Sequence, residues 1–534
     1  MKKKLLTIVL SIGMIFSMSI GLSGCGDSSE ETSQMVIGTG QFIDTLNPVT
    51  AWAMVSGEVF MLIYDPLVRK DDNLESIPCL AESWEVSEDN LTWTFTLAEA
   101  SWQDGEPFTS EDVKFTYELF LSDVGSASMY GSYLTGIEDI QCPDDRTVVI
   151  TTSEPKANML QNSTPILPEH IWADFGEDEI STFANENPIG TGPYKFGELT
   201  DTSLTLLKYE DYFGTPGNVE AYSFVEYKNS DSTAQALKTG EIDAAMSLNV
   251  AQMDDLAAED GIDVISGEVL GFTQLCINVK DDGVGNHILK DVDVRHAIDY
   301  CIDKQNGLDM AYLGAGTIGT TLINPSDKYH WEPTEDVLRS YDIDKANEIL
   351  DDAGYIDNDG DGIREDSDGN PLEFDLISIA DNAEEVKYGQ IIKAGCIDAG
   401  IEVNCTTMDS GALYDQIIAY DYDMFIWGWG SDVDPGVILN VLTTDYGNEP
   451  GWSNARYDEL YLKQAVTLDE DERIAMVQEM QQIAYEEAPY IVFVYSNTIQ
   501  AIRSDKWEGY KMIPENGSYF FNLSIENYMN MKSK

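Results

Sequence analysis

Two hydrophobic periods interleave along the chain. Leu91, Trp93, Phe95 and Leu97 alternate with threonines, which predicts a half-buried strand. Val294, Ala297, Ile298, Cys301 and Ile302 recur at i, i+3, i+4, i+7 and i+8, the apolar stripe of a helix. Ala346, Ile349, Leu350 and Ala353 repeat that stripe, and Gly354 supplies the stop. Ile474, Val477, Met480 and Ala484 mark another helix, closed off by Pro489. No internal repeat is visible, and the alternation of both periods predicts a mixed α/β fold. At 534 residues the chain is too long for one simple core, so two or more lobes are expected.

The amino terminus follows a different pattern. Lys2, Lys3 and Lys4 precede an apolar stretch from Leu5 to Ile20, and Leu22-Ser23-Gly24-Cys25 reads as a bacterial lipobox. Ser11, Gly13, Ser17, Ser19 and Gly21 dilute the apolar run too much for a good membrane span. Residues 1–24 are therefore expected to be a lipoprotein signal peptide, with Cys25 carrying the lipid (palmitate among its acyl groups). Residues 25–34 form a polar, flexible tether. The expected location is outside the cytoplasm, lipid-anchored to the bacterial cell membrane.

The formal charge of -66 argues against nucleic acid as a partner, because a phosphate backbone needs Lys and Arg to neutralise it. Cys79, Cys142, Cys276, Cys301, Cys396 and Cys405 show no C-x-x-C pairing, which leaves zinc-ribbon and thioredoxin readings unsupported. Cys276 and Cys301 fall inside apolar patterns, so buried thiols are expected.

A series of short motifs then narrows the class. In order they are Asp44-Thr45-Leu46-Asn47-Pro48, Ile63-Tyr64-Asp65-Pro66-Leu67, Pro78-Cys79-Leu80-Ala81-Glu82-Ser83-Trp84 and the run Trp102 to Val113. Leu167-Pro168-Glu169-His170-Ile171-Trp172, Asn187 to Tyr194, Gly240-Glu241-Ile242-Asp243 and Val294 to Ile298 follow. Asp423 to Trp429 and Asn454-Ala455-Arg456-Tyr457-Asp458 close the series. Together they resemble extracytoplasmic solute-binding protein family 5, the peptide-binding lipoproteins of ABC importers. The resemblance implies a two-lobed, periplasmic-binding-protein-like α/β fold with an extra third domain and a ligand cleft between the lobes. It places lobe one at 35–77, 190–285 and 500–534, the extra domain at 78–189, and lobe two at 286–499. A peptide ligand and a permease–ATPase complex are the implied partners.

By the same resemblance, Asp432 engages the α-ammonium of the ligand. A closed cleft without a counter-charge would leave that cation unpaired at several kcal/mol, and a fixed carboxylate solves this. Trp427 and Trp429 would offer flat apolar walls. Because alternate residues of a strand face opposite sides, one of them can be core instead. Gly271-Phe272-Thr273-Gln274-Leu275 reads as an exposed strand edge at the lobe crossing, which puts Phe272 and Thr273 against the peptide backbone. The competing reading makes Asp432 a turn residue before Asp434-Pro435.

The run Asp357 to Asp368 has oxygen donors at positions 1, 3, 5 and 9, glycine at 6 and an acid at 12, as in an EF-hand calcium loop. Asp357, Asp359, Asp361, the backbone of Ile363, Glu365 and Asp368 would hold a structural Ca2+. The alternative is an acidic turn without metal. No other cofactor is required.

Enzyme readings find little support. There is no G-x-S-x-G elbow, no H-E-x-x-H and no nucleotide loop, and His170, His287, His296 and His330 lack ligand spacing. Within the binding class, oligosaccharides and metal chelates remain alternatives to peptide. A sensor or adhesin with the same cleft is another.

Overall fold

The computed structural model describes residues 33–71, 75–126, 128–281, 283–430, 434–446, 448–511 and 525–534. Cys25, the signal segment and Asp432 lie outside the described residues.

Twelve strands form the large sheet. They are β1 (Gln34–Thr39), β2 (Tyr194–Leu199), β3 (Ser203–Lys208), β4 (Ala221–Glu226), β5 (Ala244–Leu248) and β6 (Asp263–Glu268). The second six are β7 (Gly271–Ile277), β8 (Gly316–Ile318), β9 (Glu373–Ile379), β10 (Glu402–Met408), β11 (Met424–Gly430) and β12 (Tyr490–Ile502). The order is β10-β9-β11-β7-β12-β5-β1-β4-β3-β2, with β6 and β8 also paired to β12. β12 is thirteen residues long and joins two halves of the sheet. Its first part pairs with β7 and β8 (Tyr490 with Cys276, Ser496 with Gly316), and its second with β6 and β5 (Asn497 with Glu268, Ile502 with Ala244).

The hydrophobic clusters divide along that line. One half gathers Met35, Ile37, Leu204, Tyr222 and Phe224, with a smaller group of Leu237, Leu248, Ile499 and Ala501 beside it. In the other half Leu275, Ile298, Phe374 and Ile426 pack on one face of the sheet, and Cys276, Phe425, Val477 and Tyr495 on the other. The side chains of β7 thus belong to the second half, whereas the resemblance places residues up to 285 in lobe one. The chain crosses first at Val269-Leu270 and returns along β12 near residues 496–498.

The third unit is a four-stranded antiparallel sheet of Ala81–Val86, Thr92–Leu97, Thr147–Thr152 and Ile137–Asp144, in that spatial order. The helix Ser110–Leu121 covers it with Val113, Tyr117 and Phe120, and starts on a capping box in which Thr109 N–H donates to Asp112 Oδ2 at 2.8 Å. The predicted helices occur as Val292–Cys301, Ile343–Ala353 and Glu470–Glu487. Gly354 ends the second of them at φ +90°, the left-handed position that glycine occupies without penalty.

Most of the signature motifs turn out to be joints of this scaffold. Asp65 is fully buried, ion-paired with Arg69, and accepts from Thr191 Oγ1 at 3.1 Å. Gln103 Nε2 donates to the carbonyls of Gly192 and Tyr194 at 3.0 and 2.9 Å, tying the extra domain to lobe one. Gly190 packs against the Ile63 carbonyl so closely that a Cβ there would sit 1.8 Å from the oxygen. The glycines of that run serve backbone packing.

Candidate functional site

Between the two halves lies a hollow of ≈ 450 Å3, within the size range of small-molecule sites. Leu248, Asn249 and Val250 line it from lobe one, and Thr273, Tyr312, Asn382, Glu385 and Trp427 from lobe two, with Asn497 on the connecting strand. A second hollow of ≈ 410 Å3 on lobe one is lined by Gln41, Met54, Glu58 and Met246, among others. Glu58 is buried there. Burial pushes its carboxyl up to about 8, partly offset by a 2.7 Å hydrogen bond donated by Tyr528 OH.

The wall of the first hollow is made by two strands that diverge. β9 and β11 run parallel and pair at Leu376 with Met424 and Ile377 with Phe425. Beyond that point β9 continues along β10, and β11 continues along β7. From Ile426 to Gly430, β11 therefore has one side without a strand partner among the described residues. Ile379 and Asn382 border the resulting gap.

Two expectations need correction here. β7 is not an edge strand, because it is flanked by β11 on one side and β12 on the other, and all seven of its residues are buried. Phe272 points into the lobe-two core and lies 6.4 Å from the Tyr490 ring, whereas Thr273 on the opposite face reaches the hollow. Trp427 and Trp429, two residues apart, share one face of β11 instead of dividing between core and cleft, and both pack against the same cluster. Trp427 lines the hollow. Trp429 is steadied by Nε1 donating to Glu449 Oε2 at 3.4 Å, and Tyr490 OH donates to the same oxygen at 2.6 Å. Burial raises the Glu449 carboxyl above its usual range despite these two bonds.

Just after the undescribed 431–433 segment, Asp434 is buried. It pairs with Arg473 Nη2 at 2.7 Å, and its Oδ1 accepts from Gly436 N–H at 2.7 Å to cap the helix Pro435–Leu439. Sequence reasoning also missed Glu385. It sits at the start of the helix Ala383–Asp398, capped by Asn382, and opens into the hollow. The only signal was its position three residues after an N-cap, which reads as ordinary helix chemistry.

The acidic loop gathers Asp357, Asp359, Asp361 and Glu365, with one carboxylate oxygen of each within 4.8 Å of the others. Asp357 accepts from Gly360 N–H at 2.6 Å and Gly362 N–H at 3.0 Å, folding the loop around itself. Ile363 N–H donates to Asp361 at 2.8 Å. Asp368 is not brought into the cluster. After Glu365 the backbone turns back to bridge Pro371 instead of entering a second helix, which carries position 12 into a separate turn organised by Asp366.

The arrangement is a ligand-sized hollow between two halves that the chain connects at 269–270 and again along β12. The chain belongs to the bacterial extracellular solute-binding proteins of family 5, the model of whose middle region matches residues 75–449. With a Brucella ovis protein it shares 32% identity over 326 residues, so that the chain spans 59% of the length of that relative and 60% of its own. Similarity to the oligopeptide-binding protein AppA of Bacillus subtilis runs over 552 residues at 25% identity, covering 97% of this chain and 98% of AppA. The structure of AppA in complex with a nonapeptide superposes with a TM-score of 0.79 at 22% identity, over 94% of this chain and 99% of that one. A mannohexaose-bound oligopeptide-binding protein of Thermotoga maritima gives 0.78 at 23% identity, over 95% and 100%. Among the described residues no helix is long and apolar enough to cross a membrane.

Proposed function

We propose that this protein captures peptides outside the cytoplasm and delivers them to the permease of an ABC importer, with Cys25 as its lipid anchor. The observation that carries the reading is the unpaired side of β11 from Ile426 to Gly430, facing the hollow between the lobes. An extended peptide can add there as a strand, gaining affinity from backbone hydrogen bonds whatever its side chains. Trp427 supplies a rigid apolar wall, and Thr273 a hydroxyl. Ligand draws the lobes together about the crossings at 269–270 and 496–498. Asp432, two residues beyond the end of β11, takes the peptide's α-ammonium.

The test is calorimetry on wild type and Asp432→Asn with free and N-acetylated versions of one peptide. Asp432→Asn is expected to weaken the free peptide by about 2–5 kcal/mol and the acetylated one hardly at all. Additive losses would sink the assignment. Mass spectrometry of ligand that co-purifies with the protein tests the peptide reading itself. Oligosaccharide is the second reading, supported by the Trp427 face in the hollow, on which a sugar ring can stack.

The Asp357–Glu365 cluster is proposed as a structural Ca2+ site distant in sequence from β11. Its four convergent carboxylates suit a hard cation that takes oxygen ligands.

A further inference from the structure

Glu385 is 4% exposed, yet it faces the hollow between the lobes. The one hydrogen bond of its carboxylate among the described residues is a long one, from Ile379 N–H to Oε2 at 3.4 Å. Among the described residues no lysine, arginine or histidine lines the hollow, whereas a second carboxylate, Glu384, does. Asn497 adds an acceptor of the same kind. Its Nδ2 donates to Ser266 Oγ at 3.0 Å, while its buried Oδ1 has no partner among the described residues. A carboxylate removed from water without a cation is costly, and an acceptor left unsatisfied adds to the cost. The hollow thus presents negative charge and spare acceptors, and lacks the donor-rich positive group that would satisfy both.

We infer that the ligand supplies that group: the cleft selects peptides carrying a lysine or arginine side chain, and Glu385 is the carboxylate that receives it. The inference rests on the peptide reading above and goes beyond it by naming the ligand's charge. An ammonium or guanidinium reaching Glu385 makes charge-assisted hydrogen bonds in a site that closure strips of water. Asn497 Oδ1 and Glu384 accept the remaining donors. A peptide carrying an acidic side chain there would face two like charges, so the same lining that attracts one class rejects the other.

The protonation of Glu385 should report this pairing. Burial pushes its carboxyl up to about 7, against a weak opposing contribution from the Ile379 N–H, and Glu384 adds to the rise. Tyr312, at the end of the helix Lys304–Ala311, is the other titratable group on the lining. β9, β11, β12 and the 248–250 turn bring none. A cation entering the hollow favours the ionised form, so basic peptides should bind more weakly as pH falls through 7.

The experiment uses the folded, tether-bearing protein and an equimolar library of peptides two to nine residues long. One position varies among lysine, arginine, acetyl-lysine, glycine and glutamate, and mass spectrometry reads the bound fraction. Enrichment of lysine and arginine peptides by wild type, lost with Glu385→Gln, is the expected result. Peptides captured without preference for a basic residue would overturn the inference and leave peptide binding standing. Capture of none would overturn both. Calorimetry on the best lysine peptide should show at least a tenfold loss in Glu385→Gln, and an acetyl-lysine analogue equally weak for both proteins. The wild type should lose affinity between pH 8 and pH 6, and the variant should not. Glu384→Gln, a half-buried change that leaves the Ile379 contact intact, should weaken the lysine peptide severalfold. Unchanged affinity in both variants would also overturn the assignment.

Discussion

Lobe two buries Asp299 and Glu385 almost wholly and treats them in opposite ways. Asp299, 2% exposed, sits between Lys304 Nζ at 3.1 Å and Arg339 Nε at 2.7 Å, and Arg339 stacks over the Tyr485 ring at 3.8 Å. Burial alone would raise its carboxyl. Lys304 and Arg339 outweigh that and hold it below the usual carboxylate range. Glu385, 4% exposed, has no cationic partner among the described residues and is pushed up to about 7 by burial. Asp299 borders a cavity of ≈ 10 Å3, and Glu385 opens on the hollow of ≈ 450 Å3. A buried charge serving the fold comes with its partners, while one serving a ligand waits for them.

The sharpest way to break this contrast is to remove the partnered acid. Asp299→Ala leaves Arg339 and Lys304 buried without a counter-charge, and should cost about 3–5 kcal/mol of stability in urea unfolding. A loss below about 1 kcal/mol would mean that water already reaches the pair. Glu385→Gln should do the reverse in the ligand-free protein. Its folded carboxyl titrates near 7 against an ordinary value of 4.5. Its contribution to stability is therefore full below about 4.5 and lost as pH rises through 7. The variant should gain about 2–3 kcal/mol over wild type at pH 8 and nothing at pH 4, read from denaturant curves at both. A gain that did not depend on pH would remove charge as its cause.

The exposed Asp357, Asp359 and Asp361 sharpen the comparison from a third side, since water screens them in the absence of a cation. Calcium at tenfold its Kd should stabilise the wild type by about 1.4 kcal/mol, and Asp357→Ala with Asp361→Ala should abolish the response. Equal melting temperatures with calcium and with chelator, starting from metal-free protein, would leave only a self-bonded turn.

The scaffold was far more legible than the cleft. Trp102 to Val113, Asp65 and Gly190 to Tyr194 are distinctive because local geometry demands them: a cap, a buried ion pair, and a backbone contact with no room for a Cβ. They therefore identify the family and lie in its joints. The hollow depends on how distant segments meet. Nothing near Met424 announces that β11 leaves β9 after two pairs, and Glu385 looks like the third residue of any capped helix. β7 could have been read correctly: seven consecutive residues of which most are apolar suit a strand flanked on both sides better than an edge. The two tryptophans yield to the same arithmetic, since residues i and i+2 of a strand share a face.

The long strand β12 has a further consequence, in the order of assembly. It lies between β7 and β5, so the two halves of the sheet have no other contact along the strand order. Its residues, 490–502, come within the last tenth of the chain. Until they arrive, lobe one lacks the strand that β5 and β6 share, and lobe two has no partner for the inner side of β7. Contacts of such long sequence separation form slowly. A chain that cannot complete either half until its end has emerged keeps both halves open through most of its synthesis.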